Sequence, residues 1–75
     1  MANLRLGVLD WVVSLERAKP FSSQIVATFP NEQDALDYVT KYATGKTCER
    51  TSRRRWTFPQ TGGANDFMVV WKREG

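Results

Sequence analysis

The sequence predicts a small α+β domain, ββαββ in element order, in which a four-stranded antiparallel sheet carries one helix on one face. Three observations support this class: one stretch with helical periodicity, alternating apolar positions on both sides of it, and a length of 75 residues. A chain this short buries only about 60 to 65% of its unfolded surface, so it has room for one core. We therefore expect residues 1–75 to form a single domain.

The first predicted strand covers residues 9–16. Apolar side chains occupy every second position of this stretch, which is typical of a strand with one buried face. They are Leu9, Trp11, Val13 and Leu15. Residues 4–15 also fit an amphipathic helix, but the β-branched pair Val12 and Val13 favours a strand.

A hairpin is expected to connect this strand to a second one. Residues 19–23 combine a lysine, a proline and two serines, a composition typical of a turn. Residues 24–29 then alternate again, which predicts a strand that leads directly into the helix. Its two faces carry Ile25, Ala27 and Phe29 on one side and Val26 and Thr28 on the other.

The helix is predicted for residues 31–44. Asn31 is a favourable N-cap, Asp34 stands at the third helical position, and Gly45 ends the helix. At about 100° per residue, one stripe about 120° wide collects the side chains that should face the sheet. They are Ala35, Leu36, Val39, Tyr42 and Ala43.

Two more strands are expected after the helix. Residues 47–58 form a polar strand ending in Trp56 and Phe58, and residues 59–66 form a loop of glycine and polar side chains. Residues 67–72 form the last strand. Its two faces carry Phe67, Val69 and Trp71 on one side and Met68, Val70 and Lys72 on the other.

We assign the bulkier face of every strand to the helix side, because large aromatic side chains fill a small core well. The predicted core is Leu9, Trp11, Val13, Leu15, Ile25, Ala27, Phe29, Trp56, Phe58, Phe67, Val69 and Trp71. One helix leaves the other sheet face open. The apolar side chains expected on that face are Val12, Val26, Met68 and Val70. They indicate either a protein interface or homodimer contact, or an ordinary surface with scattered apolar residues.

Positive charge is concentrated in the second half of the chain. Residues 41–75 contain eight Lys and Arg against three Asp and Glu, whereas the whole chain has a net charge of +3. The centre of this charge is a run beside Trp56 that comprises Arg50, Arg53, Arg54 and Arg55. Guanidinium groups contact phosphate or carboxylate in a planar, bidentate way, so this run and Lys72 are candidate contacts to nucleic acid or to an acidic protein surface.

The same arginines also have a purely structural interpretation. Charged side chains on an edge strand discourage sheets from pairing edge to edge. Strand alternation moreover places Arg53 and Arg55 on one face and Arg54 on the other, unless a bulge intervenes. The sequence therefore does not predict a continuous basic stripe.

Several function classes are excluded by what the chain lacks. It has no His and a single Cys, Cys48, so it provides neither a zinc site of Cys and His ligands nor an imidazole-activated nucleophile. We expect no catalysis, no metal and no cofactor. No apolar run approaches the roughly 18 to 20 residues that cross a bilayer, and no targeting signal is evident, so we expect a cytoplasmic protein that contacts no membrane.

These observations favour a small non-enzymatic binding protein. The first hypothesis is a stand-alone inhibitor or adaptor that binds a protein or ribonucleoprotein through the basic edge and the open sheet face. Small phage proteins that block host defence, anti-CRISPR proteins among them, are comparable in size. The alternative is a nucleic-acid-binding module that contacts phosphates through residues 50–55. A third hypothesis is a homodimer that buries the open face against a second copy.

Overall fold

The computed structural model describes residues 9–18, 21–60 and 64–73, which form five strands and one helix. In chain order these are β1 (Trp11–Ala18), β2 (Phe21–Phe29), α1 (Glu32–Ala43), β3 (Glu49–Ser52), β4 (Arg55–Pro59) and β5 (Asn65–Lys72). The strands form one antiparallel sheet in the order β2-β1-β5-β4-β3. The prediction of a small α+β domain with one helix and an antiparallel sheet is confirmed, but the sheet of the described residues has five strands and not four.

The additional strand comes from residues 47–58, where the sequence predicts a single strand and the structure has a hairpin. Ser52 at the end of β3 pairs with Arg55 at the start of β4, so Arg53 and Arg54 form the turn. No non-glycine residue in the described part of the chain has a positive φ. The turn therefore requires no glycine or asparagine, and the sequence lacks the usual signal for a short hairpin.

The N-terminal hairpin is formed by β1 and β2, as predicted. Residues 11–18 are a strand and not a helix, while residues 4–8 of the helical alternative lie outside the described residues. Ala18 pairs with Phe21, so β2 starts earlier than the predicted turn over residues 19–23 allows. Of that predicted turn, residues 19 and 20 lie outside the described part of the chain.

The helix closely matches its predicted bounds because local interactions determine both ends. The Asn31 side chain accepts a hydrogen bond from the backbone N–H of Asp34 at 2.9 Å, which satisfies one free donor of the first turn. Gly45 has a φ of 81°, the left-handed conformation that glycine adopts readily after a helix. The predicted stripe is confirmed at Ala35, Leu36 and Val39, which are buried.

The core lies between α1 and the covered face of the sheet. Among the described residues, eight buried apolar side chains form it: Val13, Ala35, Leu36, Val39, Trp56, Phe58, Met68 and Val70. Aromatic pairs extend it sideways, since the rings of Phe29 and Tyr38 are 5.4 Å apart and those of Tyr42 and Phe58 are 5.7 Å apart. The predicted core residues of β1, and Ala27, Phe29, Trp56 and Phe58 from β2 and β4, are buried or packed against it.

The last strand, β5, has the opposite alternation to the predicted one. Met68 pairs with Leu15 and Val70 with Val13, and these two β5 side chains are 1% and 2% exposed in the core. The volume under a single helix is already occupied by aromatic rings from the other strands, so a methionine and a valine fit where a second set of large rings would overpack it. The side chains wrongly predicted to face the helix lie on the open face: Phe67, Val69 and Trp71.

A β-bulge changes the alternation of β2 as well. Val13 and Ser14 pair with Ala27 and Ile25, so Val26 is the extra residue. Val26 packs against the core, and Ile25 lies on the open face with 50% of its surface exposed. Strict alternation predicts the reverse for both residues and is wrong because the bulge shifts the phase by one. Leu9, also predicted in the core, precedes β1 and is 38% exposed.

Alanine substitutions at two neighbouring residues distinguish the alternations of β5. We expect Met68→Ala to lower the free energy of unfolding by about 2 to 5 kcal/mol, because it opens a cavity in the core. Val69→Ala on the open face should lower it by about 1 kcal/mol. Urea denaturation followed by tryptophan fluorescence measures both values. A larger loss for Val69→Ala than for Met68→Ala would contradict the observed register.

Candidate functional site

The arginine hairpin, β3 and β4 with their turn, lies at the sheet edge opposite β2. It carries all four arginines singled out from the sequence: Arg50, Arg53, Arg54 and Arg55. Each of these guanidinium groups has a partner within the chain. These partners determine which face of the molecule each positive charge occupies.

Arg53 and Arg54 bind the same carboxylate at the start of α1. Arg53 donates from Nε and Nη2 to the two Glu32 oxygens at 3.2 and 3.3 Å, and Arg54 Nε donates to Oε2 at 2.6 Å. Glu32 is only 22% exposed, and the hydrogen bonds from Arg53 and then Arg54 hold the pKa of its carboxyl below the usual range. This arrangement connects the turn of the arginine hairpin to the helix N-terminus.

Arg50 and Arg54 also lie over tryptophan rings. The Arg54 guanidinium carbon is 4.7 Å from the centre of the Trp11 ring, and that of Arg50 is 4.5 Å from the centre of the Trp56 ring. Arg50 Nη2 additionally donates to the Arg53 carbonyl oxygen at 2.6 Å. These contacts keep both arginines on the helix side of the sheet, where they cover the faces of the two rings.

The side chain of Arg55 lies on the open face, opposite to the other three arginines. It pairs with Val69, and its guanidinium carbon lies 4.5 Å from the centre of the Phe67 ring on the open face. The expectation that Arg53 and Arg55 share a face is wrong, because Arg53 lies in a turn and the β3–β4 pairing has a register shift. The run is therefore divided between the two sides of the sheet.

The remaining predicted site residues do not lie together on one surface. Lys72 is exposed and pairs with Trp11, so the register places it on the helix face. The predicted apolar open-face set is also wrong: Met68 and Val70 lie in the core, and Val26 packs against it. Val12 does lie on the open face, in register with Trp71, but it is fully buried.

The open face carries a different group of side chains, which we call the open-face patch: Phe67, Val69, Trp71 and Arg55. Trp71 is 38% exposed, and its indole Nε1 donates to Ser14 Oγ at 2.8 Å. That hydrogen bond orients the ring on the sheet and leaves Ser14 only 3% exposed. An exposed ring held in one orientation provides a preformed contact surface.

The sequence contains one signal for this patch. Residues 67–71 are apolar at every position, which is typical of a central strand with side chains to accommodate on both faces. Such a run does not reveal which alternate set faces the helix. The prediction assigned the bulkier set, Phe67, Val69 and Trp71, to the helix side. The pairing of β5 with β1 and β4 places Met68 and Val70 there instead.

The strands contribute few charges to the open face. Glu16 pairs with Phe67, and Glu49 lies on the same face because it pairs with Thr57, the partner of Phe67 on β4. Together with Arg55 these are the two acidic groups and one basic group that the described strands place around the patch. Most of the positive charge of the arginine hairpin therefore lies on the helix side.

The other features of the described residues are a surface depression and the absence of a metal-binding cluster and of a membrane-spanning helix. A shallow depression of about 280 Å³ beside α1 is lined by Phe29, Asp34, Asp37, Tyr38 and Lys41. No group of three or more His, Cys, Asp or Glu side chains in residues 9–18, 21–60 and 64–73 is arranged to hold a metal ion. In the same ranges, no helix is long and apolar enough to cross a membrane.

Comparison with known proteins adds no relatives, because no protein-family model, no curated protein and no solved structure matches this chain. The functional argument therefore depends on the surfaces themselves.

Glu32→Gln tests the contact between the helix and the arginine hairpin. The folded chain lowers the pKa of Glu32, so its ion pairs stabilise the fold above the usual carboxyl pKa, and this contribution is lost as the pH falls through the lowered value. Urea denaturation between about pH 7 and pH 2.5 should show a smaller acid loss of stability for Glu32→Gln than for the wild type.

The matched control for this variant is Glu49→Gln. Glu49 is an exposed carboxylate of the same hairpin and forms no ion pair with any described residue. Its variant should retain the pH profile of the wild type. If Glu32→Gln also retains that profile, the ion pairs do not contribute to stability.

Proposed function

We propose that this chain is a non-enzymatic inhibitor or adaptor that binds a protein partner through the open-face patch. The observation that carries this proposal is the exposed Trp71 ring, oriented by its hydrogen bond to Ser14 on the sheet face away from the helix. Catalysis is not part of the proposal, because the chain has no His and a single Cys.

The composition of the patch fits the centre of a protein interface. Tryptophan, phenylalanine and arginine are enriched there, and a few such residues supply most of the binding energy. Charged side chains commonly form the rim, and Glu16 and Glu49 occupy that position around the patch. Trp71 and Arg55 are already held by contacts within the chain, so a partner has less side-chain entropy to overcome on binding.

Charge favours a protein over nucleic acid as the partner. Phosphate contacts need several unpaired cationic groups along one surface. Arg53 and Arg54 share the Glu32 carboxylate on the helix side, whereas the patch has Arg55 between two glutamates. The aromatic surface and most of the positive charge thus lie on opposite faces of the sheet.

A second candidate function, binding of single-stranded nucleic acid, has one observation in its favour. The ring of Trp71 and the ring of Phe67 lie on the open face of the central strand β5, where single-strand-binding sheets place the aromatics that stack on bases. The sequence predicts these rings in the core, where they would not reach a base, and that prediction is wrong. Their observed position makes the function worth testing beside the first.

Affinity capture with matched variants tests the protein-binding proposal. Tagged wild-type protein, Trp71→Ala and Arg55→Glu are each exposed to a lysate of the source organism, and bound proteins are quantified by mass spectrometry. We expect a partner that both variants lose. With the purified partner, each should weaken binding about 30-fold or more, the loss typical of an interface hot spot.

The control is Lys41→Glu, a charge reversal at an exposed position of α1 outside the patch. It should capture the same partner as the wild type. Circular dichroism confirms that each variant is folded, and Arg55→Glu alters an exposed side chain, so it tests the patch even if Trp71→Ala unfolds. A partner retained equally by all variants would show that binding does not use the patch.

Fluorescence anisotropy distinguishes the second candidate from the first. Labelled random-sequence single-stranded DNA and RNA are titrated with the protein at about 50 and 200 mM salt. The protein-binding proposal expects no saturable binding at about 10 μM protein, a concentration that detects micromolar affinity. Binding whose association constant falls by about 0.7 log units per phosphate contact for each tenfold rise in salt, or about 0.4 between 50 and 200 mM, and that Trp71→Ala abolishes, would establish the nucleic-acid function instead.

A further inference from the structure

The strand β2 is an edge of the sheet that residues 9–18, 21–60 and 64–73 form, and it carries no charge. Its nine residues include no Asp, Glu, Lys or Arg, and no described residue pairs with its outer side. Natural sheets usually protect such edges with charged side chains. The opposite edge, β3, follows that rule with Glu49 and Arg50.

The two most exposed large apolar side chains of the described residues both lie on β2. Phe21 is 77% exposed and Ile25 is 50% exposed. They share the open face, because their partners on β1, Ala18 and Ser14, are on that face as well. Ser23 lies between them, and all of residues 21–25 are exposed.

This segment has a symmetric pattern. Phe21-Ser22-Ser23-Gln24-Ile25 has a large apolar side chain at each end and uncharged polar side chains between them. It precedes Val26, the extra residue of the bulge, so its backbone alternation is regular. A segment that presents the same chemistry in both directions is complementary to itself in an antiparallel pair.

We propose that two copies of this chain form a homodimer by antiparallel pairing of their β2 strands about a two-fold axis at Ser23. In this register Phe21 of one copy lies opposite Ile25 of the other on both sides of the axis, and Ser22 lies opposite Gln24. Pairs of an aromatic and a β-branched side chain stabilise antiparallel strands. The contact uses the same surface on each copy, so it closes as a dimer and leaves no further β2 edge free.

This interface differs from the homodimer expected from the sequence. That expectation used Val12, Val26, Met68 and Val70, which the structure buries or packs against the core. The β2 pairing also does not rest on the proposed function, because the open-face patch has no residue in β2. Dimerisation and partner capture can therefore fail independently.

Charge substitutions at the two-fold axis test the dimer and its register together. Sedimentation equilibrium of the wild type should show a reversible monomer–dimer equilibrium. Ser23→Lys and Ser23→Glu each place like charges directly opposite one another, so each should raise the dimer dissociation constant about tenfold or more. An equimolar mixture of the two variants should recover dimers, because Lys then lies opposite Glu.

Ser52→Lys, at the end of the opposite edge strand, is the matched control and should dimerise like the wild type. Facing residues of paired strands are about 4.5 to 5.5 Å apart at Cα, within the range of a disulfide. In a Cys48→Ser background, Ser23→Cys should therefore form an inter-chain disulfide on mild oxidation, and Ser52→Cys should not.

Three results would overturn the proposal. They are a wild type that remains monomeric at high micromolar concentration, a Ser23→Lys variant that dimerises as tightly as the wild type, and an equimolar mixture that does not recover dimers. Ser23 is exposed, so these substitutions leave the core intact, and circular dichroism verifies that the variants are folded.

Discussion

In the described part of the chain, one helix covers one face of a five-stranded sheet, and the register of the central strand β5 decides which side chains that helix buries. Met68 and Val70 complete the core, and their neighbours Phe67, Val69 and Trp71 are directed to the opposite face. A slip of one residue would exchange the two sets completely, because side chains alternate along a strand. The hydrophobic core and the open-face patch are therefore two consequences of a single register.

In the arginine hairpin, tertiary contacts give structural roles to arginines that the sequence suggests as binding residues. As a sequence, four arginines close together suggest a surface for phosphate or for an acidic partner. In the fold, Arg53 and Arg54 share the carboxylate of Glu32, and Arg54 also lies over the ring of Trp11. These contacts join the helix N-terminus, the hairpin turn and the start of β1. Part of the positive charge thus stabilises the domain, and Arg55 remains with the open-face patch.

The two proposed interaction surfaces are separated by β1 but have residues on the same side of the sheet. The open-face patch lies on β5 and β4, and the uncharged edge lies on β2, with Ile25 exposed on the same side of the sheet. If two copies pair through β2, their sheets become continuous and each copy contributes one patch to the same side. Such an arrangement would present two equivalent sites to a partner, and two linked contacts bind more tightly than one when the geometry permits both.

The sequence by itself determined what depends on neighbouring residues: the α+β class, the helix between Asn31 and Gly45, the first hairpin and the inward residues of β1 and β4. It also excluded histidine-based chemistry. Only the tertiary structure decided the number of strands, the bulge at Val26 and the orientation of β5. Neither Arg53 nor Arg54 in the turn has a positive φ, and residues 67–71 are apolar on both faces. Neither segment therefore has a residue pattern that predicts its structure. Both structures are decided by pairing with strands distant in the sequence and by the volume available under the helix.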